Sequence, residues 1–181
     1  MVFFVPFIQP NVSYFNNFLF LFSSNQYSLV KQGIYKYQNY QFQAALESWQ
    51  QALTIYQKTS KRRQQGAALR NIGVAYEALS NNHLAIESYQ QYLNIAREIQ
   101  DREGVAKALG NLANAYYALE NYQQAVTYQQ QYLAIAQEIL DQSSIQQAYS
   151  NLGIADHGRV NLPLAKECYQ EQLAISKRIE D

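Results

Sequence analysis

Cysteine is nearly missing from this 181-residue chain. The single one, Cys168, leaves no partner for a disulfide within the chain and excludes a cysteine-based zinc site. An excess of either charge is missing as well. Fourteen basic residues balance fourteen acidic ones, so no global field draws in nucleic acid or an anionic membrane. Seven Gly and three Pro exclude collagen-like or linker-like material. No window alternates apolar and polar residues between hairpin turns, which argues against strands. A glycine-rich phosphate loop, a pair of catalytic carboxylates and a Ser/His/Asp set are all lacking. What is plentiful is Tyr, 16 in all, together with Gln and Asn. This composition reads as a helix-rich intracellular chain, expected in the cytoplasm, with no catalytic residues, no metal site and no cofactor.

The chain repeats itself. A shift of 40 residues carries Ala68-Leu69-Arg70-Asn71-Ile72-Gly73-Val74-Ala75-Tyr76 onto Ala108-Leu109-Gly110-Asn111-Leu112-Ala113-Asn114-Ala115-Tyr116. A second shift reaches Ala148-Tyr149-Ser150-Asn151-Leu152-Gly153-Ile154-Ala155-Asp156. Residues 66–105 and 106–145 share 18 identities in 40 positions without a gap. Four units follow: 26–65, 66–105, 106–145 and 146–181. Residues 1–25 stand apart.

Each unit reads as two helices. Ala108, Leu109, Leu112, Ala115, Tyr116 and Leu119 recur at the spacing of one helix face. After the polar break Glu120-Asn121, the series Ala125, Tyr128, Tyr132, Leu133, Ala136 and Ile139 continues it. Breaks also fall at Ser80-Asn81-Asn82 and Val160-Asn161. Asn is a good helix cap, because its side chain accepts from free N–H groups. Pro163 suits a first helical turn. Gly73, Ala113 and Gly153 sit inside first helices, and Ala45, Ala85, Ala125 and Ala165 inside second ones. A helical glycine costs about 1 kcal/mol against alanine, so a repeated one points to close packing. A large residue at Ala125 is expected to clash.

These residues resemble the tetratricopeptide repeat. In unit two the pattern is carried by Leu69, Ile72, Gly73, Tyr76, Ala85, Tyr89 and Leu93. The 40-residue length is similar to the subclass found in Pins/LGN-type scaffolds and bacterial multi-repeat proteins. Lys36 and Asp156 replace the usual Tyr in units one and four, and the proline that ends shorter units is absent. The resemblance implies an all-α, right-handed superhelical solenoid of antiparallel helix pairs that docks a protein or peptide in its concave groove. The first helices would line that groove. It places Lys31 and Tyr37 there from unit one, and Arg70, Asn71 and Glu77 from unit two. Lys107, Asn111, Asn114 and Tyr117 follow from unit three, and Asn151 and His157 from unit four.

The row Asn71, Asn111, Asn151 offers donors and acceptors at one register. It suits the peptide groups of an extended partner, or backbone groups of neighbouring helices. Some repeats of this family clamp a chaperone's C-terminal carboxylate with a five-residue set. The matching sets here, Val30, Ile34, Asn71, Lys107, Asn111 and Arg70, Val74, Asn111, Gln147, Asn151, are incomplete. Neutral charge disfavours nucleic acid.

The remaining features are weaker. His83, His157 and Cys168 are too scattered for a metal site, and His83 reads as solvated in an inter-helix turn. Cys168 reads as a small half-buried residue. Lys61-Arg62-Arg63 reads as a solvated turn. Most Tyr residues read as core, with Tyr37 and Tyr117 as exceptions. Residues 1–25 hold seven of the eight Phe and no Lys or Arg, so the charged start of a secretory signal is missing. Their longest apolar run, Phe18 to Phe22, is too short to span a bilayer. The segment suits an apolar flap over unit one, a weak membrane-interface anchor, or irregular sequence outside the domain; a poorly ordered segment is the expectation. At the other end, Leu152, Ile154, Leu173 and Ile175 are expected to border an uncapped face. Such a face would suit self-association into a homo-oligomer, or a longer array of which this is part.

Overall fold

The computed structural model describes residues 28–159 and 161–180. The expectations placed on residues 1–25 and Val160 lie outside them. Eight helices account for nearly all of the described chain. The first, α1, occupies residues 28–38. It is followed by α2 (Phe42–Lys58), α3 (Arg62–Ala78), α4 (Asn82–Glu98), α5 (Arg102–Ala118), α6 (Tyr122–Glu138), α7 (Gln142–Gly158) and α8 (Leu162–Glu180). From α2 onward each helix packs on its sequence neighbours, and beyond that only α3 and α5 touch substantially. This is the one-dimensional stacking of a solenoid.

The helix starts fall 20 residues apart, and the joints between them are identical. Tyr40, Ser60, Ser80, Gln100, Glu120 and Leu140 all take left-handed backbone, with φ between 52° and 60°. At each joint the left-handed residue donates its N–H three residues back, as Leu140 does to the Gln137 carbonyl at 3.2 Å. The following residue donates five back, as Asp141 does to Ala136 at 3.1 Å. These paired bonds are the Schellman closure, which satisfies carbonyls that a helix end leaves open.

The residue after the left-handed one also begins the next helix. Asn81 Oδ1 accepts from Leu84 N, Asp101 Oδ1 from Gly104 N, and Asn121 Oδ1 from Gln124 N. Asp141 Oδ1 accepts from Ser143 N and Ser144 N, and Asp141 Oδ2 accepts from the Ser144 hydroxyl at 2.6 Å. That hydroxyl first, and the backbone donors after it, hold the Asp141 carboxyl below its usual range. At these four joints one residue therefore closes one helix and caps the next, whereas Gln41 and Lys61 start α2 and α3 without a side-chain cap bond.

Small residues decide how closely paired helices approach. Ala45, Ala85, Ala125 and Ala165 are all buried at helix crossings. The repeated glycines face aromatic rings across the pair. A Cβ added at Gly73 would stand 2.3 Å from Tyr89 Cε1, one at Gly33 2.2 Å from Trp49 Nε1, and one at Gly153 2.6 Å from Tyr169 Cε1. Ring and glycine thus fill one volume. The central core runs through α3 to α6, with Tyr89, Leu93, Leu109 and Leu112 fully enclosed.

Between units, ion pairs recur on the surface. Arg62 bonds Glu98, and Arg102 pairs with Glu138 at 2.8 Å. Arg63 lies 4.0 Å from Asp101. The basic run Lys61-Arg62-Arg63 therefore ties the start of α3 to the far end of unit two. Such exposed pairs contribute little to stability, because water and salt screen them.

Two outcomes follow for unfolding in urea. Gly73→Ala should cost about 1–3 kcal/mol, because the Tyr89 ring has nowhere to retreat. Gly110→Ala should instead add about 0.5–1 kcal/mol, since nothing lies within 4 Å of the new methyl. Relief of left-handed strain predicts that Leu140→Gly raises stability by about 0.5–1 kcal/mol and Leu140→Ile lowers it. An unchanged midpoint for both Leu140 variants would show that the joint stores no strain.

Candidate functional site

Two clefts join along the facing first helices of units three and four. One, of about 230 Å³, is lined by α5 residues Glu103, Ala106, Lys107, Gly110, Asn111 and Asn114 and by α7 residues Ser144, Gln147 and Asn151, with Asp141 at its edge. Tyr132 and Ile139 close its base. The second, of about 250 Å³, runs on from it through the shared Asn114 and Asn151. Its other walls are Ala113, Tyr117, Ala125, Gln129, Ile154 and Ala155. Five of the residues expected in the groove, Lys107, Asn111, Asn114, Tyr117 and Asn151, therefore line these two neighbouring clefts.

Asn111 and Asn151 are half-buried there. Neither side chain hydrogen-bonds to the protein among the described residues, so neither ties helix to helix. Asn71 differs: its Oδ1 accepts from Arg70 Nη2 at 3.4 Å. Lys107 is exposed and its ammonium is engaged by Glu103 Oε1 one turn earlier, at 2.5 Å. An acidic partner group would compete with that carboxylate.

Other expected residues are placed differently. Lys31 is exposed on α1, away from the channel. Tyr37 is not an open groove residue, because its ring packs on Phe42 at 5.1 Å and Trp49 at 5.8 Å. Tyr117 is 40% exposed and rests on Tyr122 at 5.3 Å. Glu77 is a support rather than a free contact, since its Oε2 accepts the Tyr89 hydroxyl at 2.8 Å. His157 is exposed but faces a different surface, an apolar hollow of about 390 Å³ with Leu162, Ala165, Lys166, Tyr169, Gln170 and Leu173.

The uncapped face also needs correction. Leu152 and Ile175 are buried, Leu152 with Ala125 and Val126, Ile175 with Ala136. Leu173 is exposed on α8, together with Leu162, Leu164 and Tyr169, which the sequence pattern does not single out. Ile154 is 41% exposed in the channel. His83 lies in the first turn of α4 rather than in the loop before it, and is exposed. Cys168 is buried more fully than expected, and burial pushes its thiol upward.

Sequence reading missed Gln129. Its amide is buried, and neither Oε1 nor Nε2 has a hydrogen-bond partner among the described residues. The signal was in the register. Units one, two and four pair glycine with an aromatic ring, Gly33 with Trp49, Gly73 with Tyr89 and Gly153 with Tyr169. Unit three alone has Ala113 and Gln129 in those places.

Burial raises the Glu77 carboxyl above its usual range, and the Tyr89 hydroxyl opposes that only in part. A carboxyl raised on folding stabilises fully below its unfolded value and loses that contribution as pH climbs through its folded one. Glu77→Gln should therefore match wild type in acid and exceed it at neutral pH. Melting curves across the carboxylate range would show this, and parallel curves at every pH would contradict it.

Comparison with known proteins follows the geometry. The tetratricopeptide repeat family profile matches residues 27–98 and 105–146. No curated protein matches the sequence. Among solved structures, BtubC (BKLC) from P. vanneervenii superposes with a TM-score of 0.80 at 18% identity, over 86% of this chain and 64% of that one. The nearly identical repeats of a putative kinesin light chain from Podosopora anserina give 0.75 at 24%, over 86% and 76%. A Rap protein complexed with competence and sporulation factor gives 0.75 at 22%, over 88% and 44%. The chain thus spans under two thirds of BtubC and under half of the Rap protein. At these identities the superpositions speak for the fold, and the Pins/LGN-type subclass rests on repeat length alone. With two family matches over most of its repeats and stacked helix pairs throughout, the chain belongs to the tetratricopeptide repeat family.

Proposed function

We propose that the chain is a protein-interaction scaffold that holds a segment of a protein partner in the channel between α5 and α7, with no chemistry of its own. One observation carries this. Asn111 and Asn151 stand half-buried in the clefts between α5 and α7 and spend no hydrogen bond on the protein among the described residues. Each can meet both a carbonyl and an N–H of an extended backbone. Contacts of that kind give affinity with little demand on partner sequence. Lys107 adds a preference for an acidic group that displaces Glu103. A relative's complex supports the reading, since the Rap protein of the same fold is seen with competence and sporulation factor. Among the described residues no helix is long and apolar enough to cross a membrane. A cytoplasmic location belongs to the proposal.

A second reading has its own support. Leu162, Leu164, Tyr169 and Leu173 gather exposed on α8, and such a stripe suits assembly with another copy or another repeat.

The two readings separate cleanly. Partners should be recovered from lysate of the source cell by wild type and lost from the Lys107→Ala/Asn111→Ala double variant, with sedimentation unchanged. Equal recovery by both would refute channel docking. A Leu164→Glu/Leu173→Glu variant that retains the partner but sediments as a smaller species would assign self-association to α8.

A further inference from the structure

We propose that unit three carries a pocket for a primary carboxamide, the side chain of a Gln or Asn in the partner segment. The inference rests on the channel reading and specifies what enters its deeper part. In units one, two and four the space over the first-helix glycine is filled by Trp49, Tyr89 or Tyr169. Ala113 carries the methyl that a ring at this place cannot tolerate, and Gln129 stands where the ring would be. Tyr117 occupies the register of Glu77, the residue that holds the Tyr89 hydroxyl in unit two. The large ring has thus moved from the base of the groove to its rim. A cleft of about 250 Å³ results, with Gln129 in its wall.

The chemistry of the wall selects the occupant. Gln129 is 1% exposed, and both ends of its amide lack a partner among the described residues. A buried amide in that state is destabilising until something bonds it. It needs a donor for Oε1 and an acceptor for Nε2 on the same ligand. A carboxylate brings no donor, and an ammonium brings no acceptor. A trans peptide group has both, but on opposite sides. A primary carboxamide presents N–H and C=O side by side and pairs with Gln129 through two bonds. Ala113, Ala125, Ile154 and Ala155 supply an apolar sleeve for its methylene stem. Asn114 and Asn151 stand in the same wall, placed for the partner's backbone.

The test uses capped amino acids as probes. N-acetyl-glutamine methylamide, N-acetyl-glutamate methylamide and N-acetyl-methionine methylamide are titrated into the whole ¹⁵N-labelled chain. The Gln129 side-chain amide signal is assigned by its loss in Gln129→Met. The glutamine probe should shift that signal saturably, and the other two should bind at least about tenfold more weakly, the worth of two neutral hydrogen bonds. The Ala113→Gly/Gln129→Tyr variant restores the packing of unit two, so it should stay folded by circular dichroism and lose the probe. No saturable shift, equal affinity for all three probes, or undiminished binding by the closed variant would each overturn the pocket. Failure here is distinct from failure of channel docking. A partner lost from the Lys107/Asn111 variant but bound equally by wild type and Gln129→Met would leave the channel standing and remove the pocket.

Discussion

A left-handed residue every twentieth position governs this molecule. Tyr40, Ser60, Ser80, Gln100, Glu120 and Leu140 each reverse the chain within one residue. The bonds they allow close the finished helix, and the next residue opens the following one. Helix length, crossing geometry and the facing of every side chain descend from that spacing. A 17-residue helix and a three-residue joint repeat without drift. Asn71, Asn111 and Asn151 therefore recur at one register of successive units, and Asn111 and Asn151 line the clefts between α5 and α7.

Within that frame, packing variation makes the units unequal. The ring-over-glycine pair is a shared way to seal a helix pair, and Tyr89 held by Glu77 is its best-anchored example. Unit three gives it up. Ala113 and Gln129 leave a partly polar hollow where the others have solid core, and Tyr117 stands exposed at its edge. Core packing and the proposed binding thus draw on the same positions. Asn151 and Ile154 complete the hollow from the next unit, so the site depends on stacking and exists in no single repeat.

Much of this was legible in the residues. The 40-residue self-match, the helix-face spacing and the Asn caps at Asn81 and Asn121 point to the helices and to the breaks before α4 and α6 that the structure has. Five residues at the groove register, Lys107, Asn111, Asn114, Tyr117 and Asn151, line the two clefts between α5 and α7. Other features left weaker marks. The left-handed positions are spelled Tyr, Ser, Ser, Gln, Glu and Leu, with no glycine to reveal them. Tyr37 and Glu77 were taken for groove contacts because register gives direction but not neighbours, and Phe42, Trp49 and Tyr89 claim them. The Arg62–Glu98 and Arg102–Glu138 pairs join residues 36 apart, a spacing set by stacking rather than by any one helix. Gln129 was hidden among many Gln residues, and only comparison of units at the ring position exposes it.

The most direct test of the account is hydrogen exchange on the full chain, alone and with its captured partner bound. Docking in the channel predicts slower exchange in α5 and α7, concentrated around Lys107–Tyr117 and Gln147–Ile154, with α8 unchanged. Slowing confined to α8, with α5 and α7 exchanging as in the free chain, would contradict it and move the function to the face of Leu164 and Leu173.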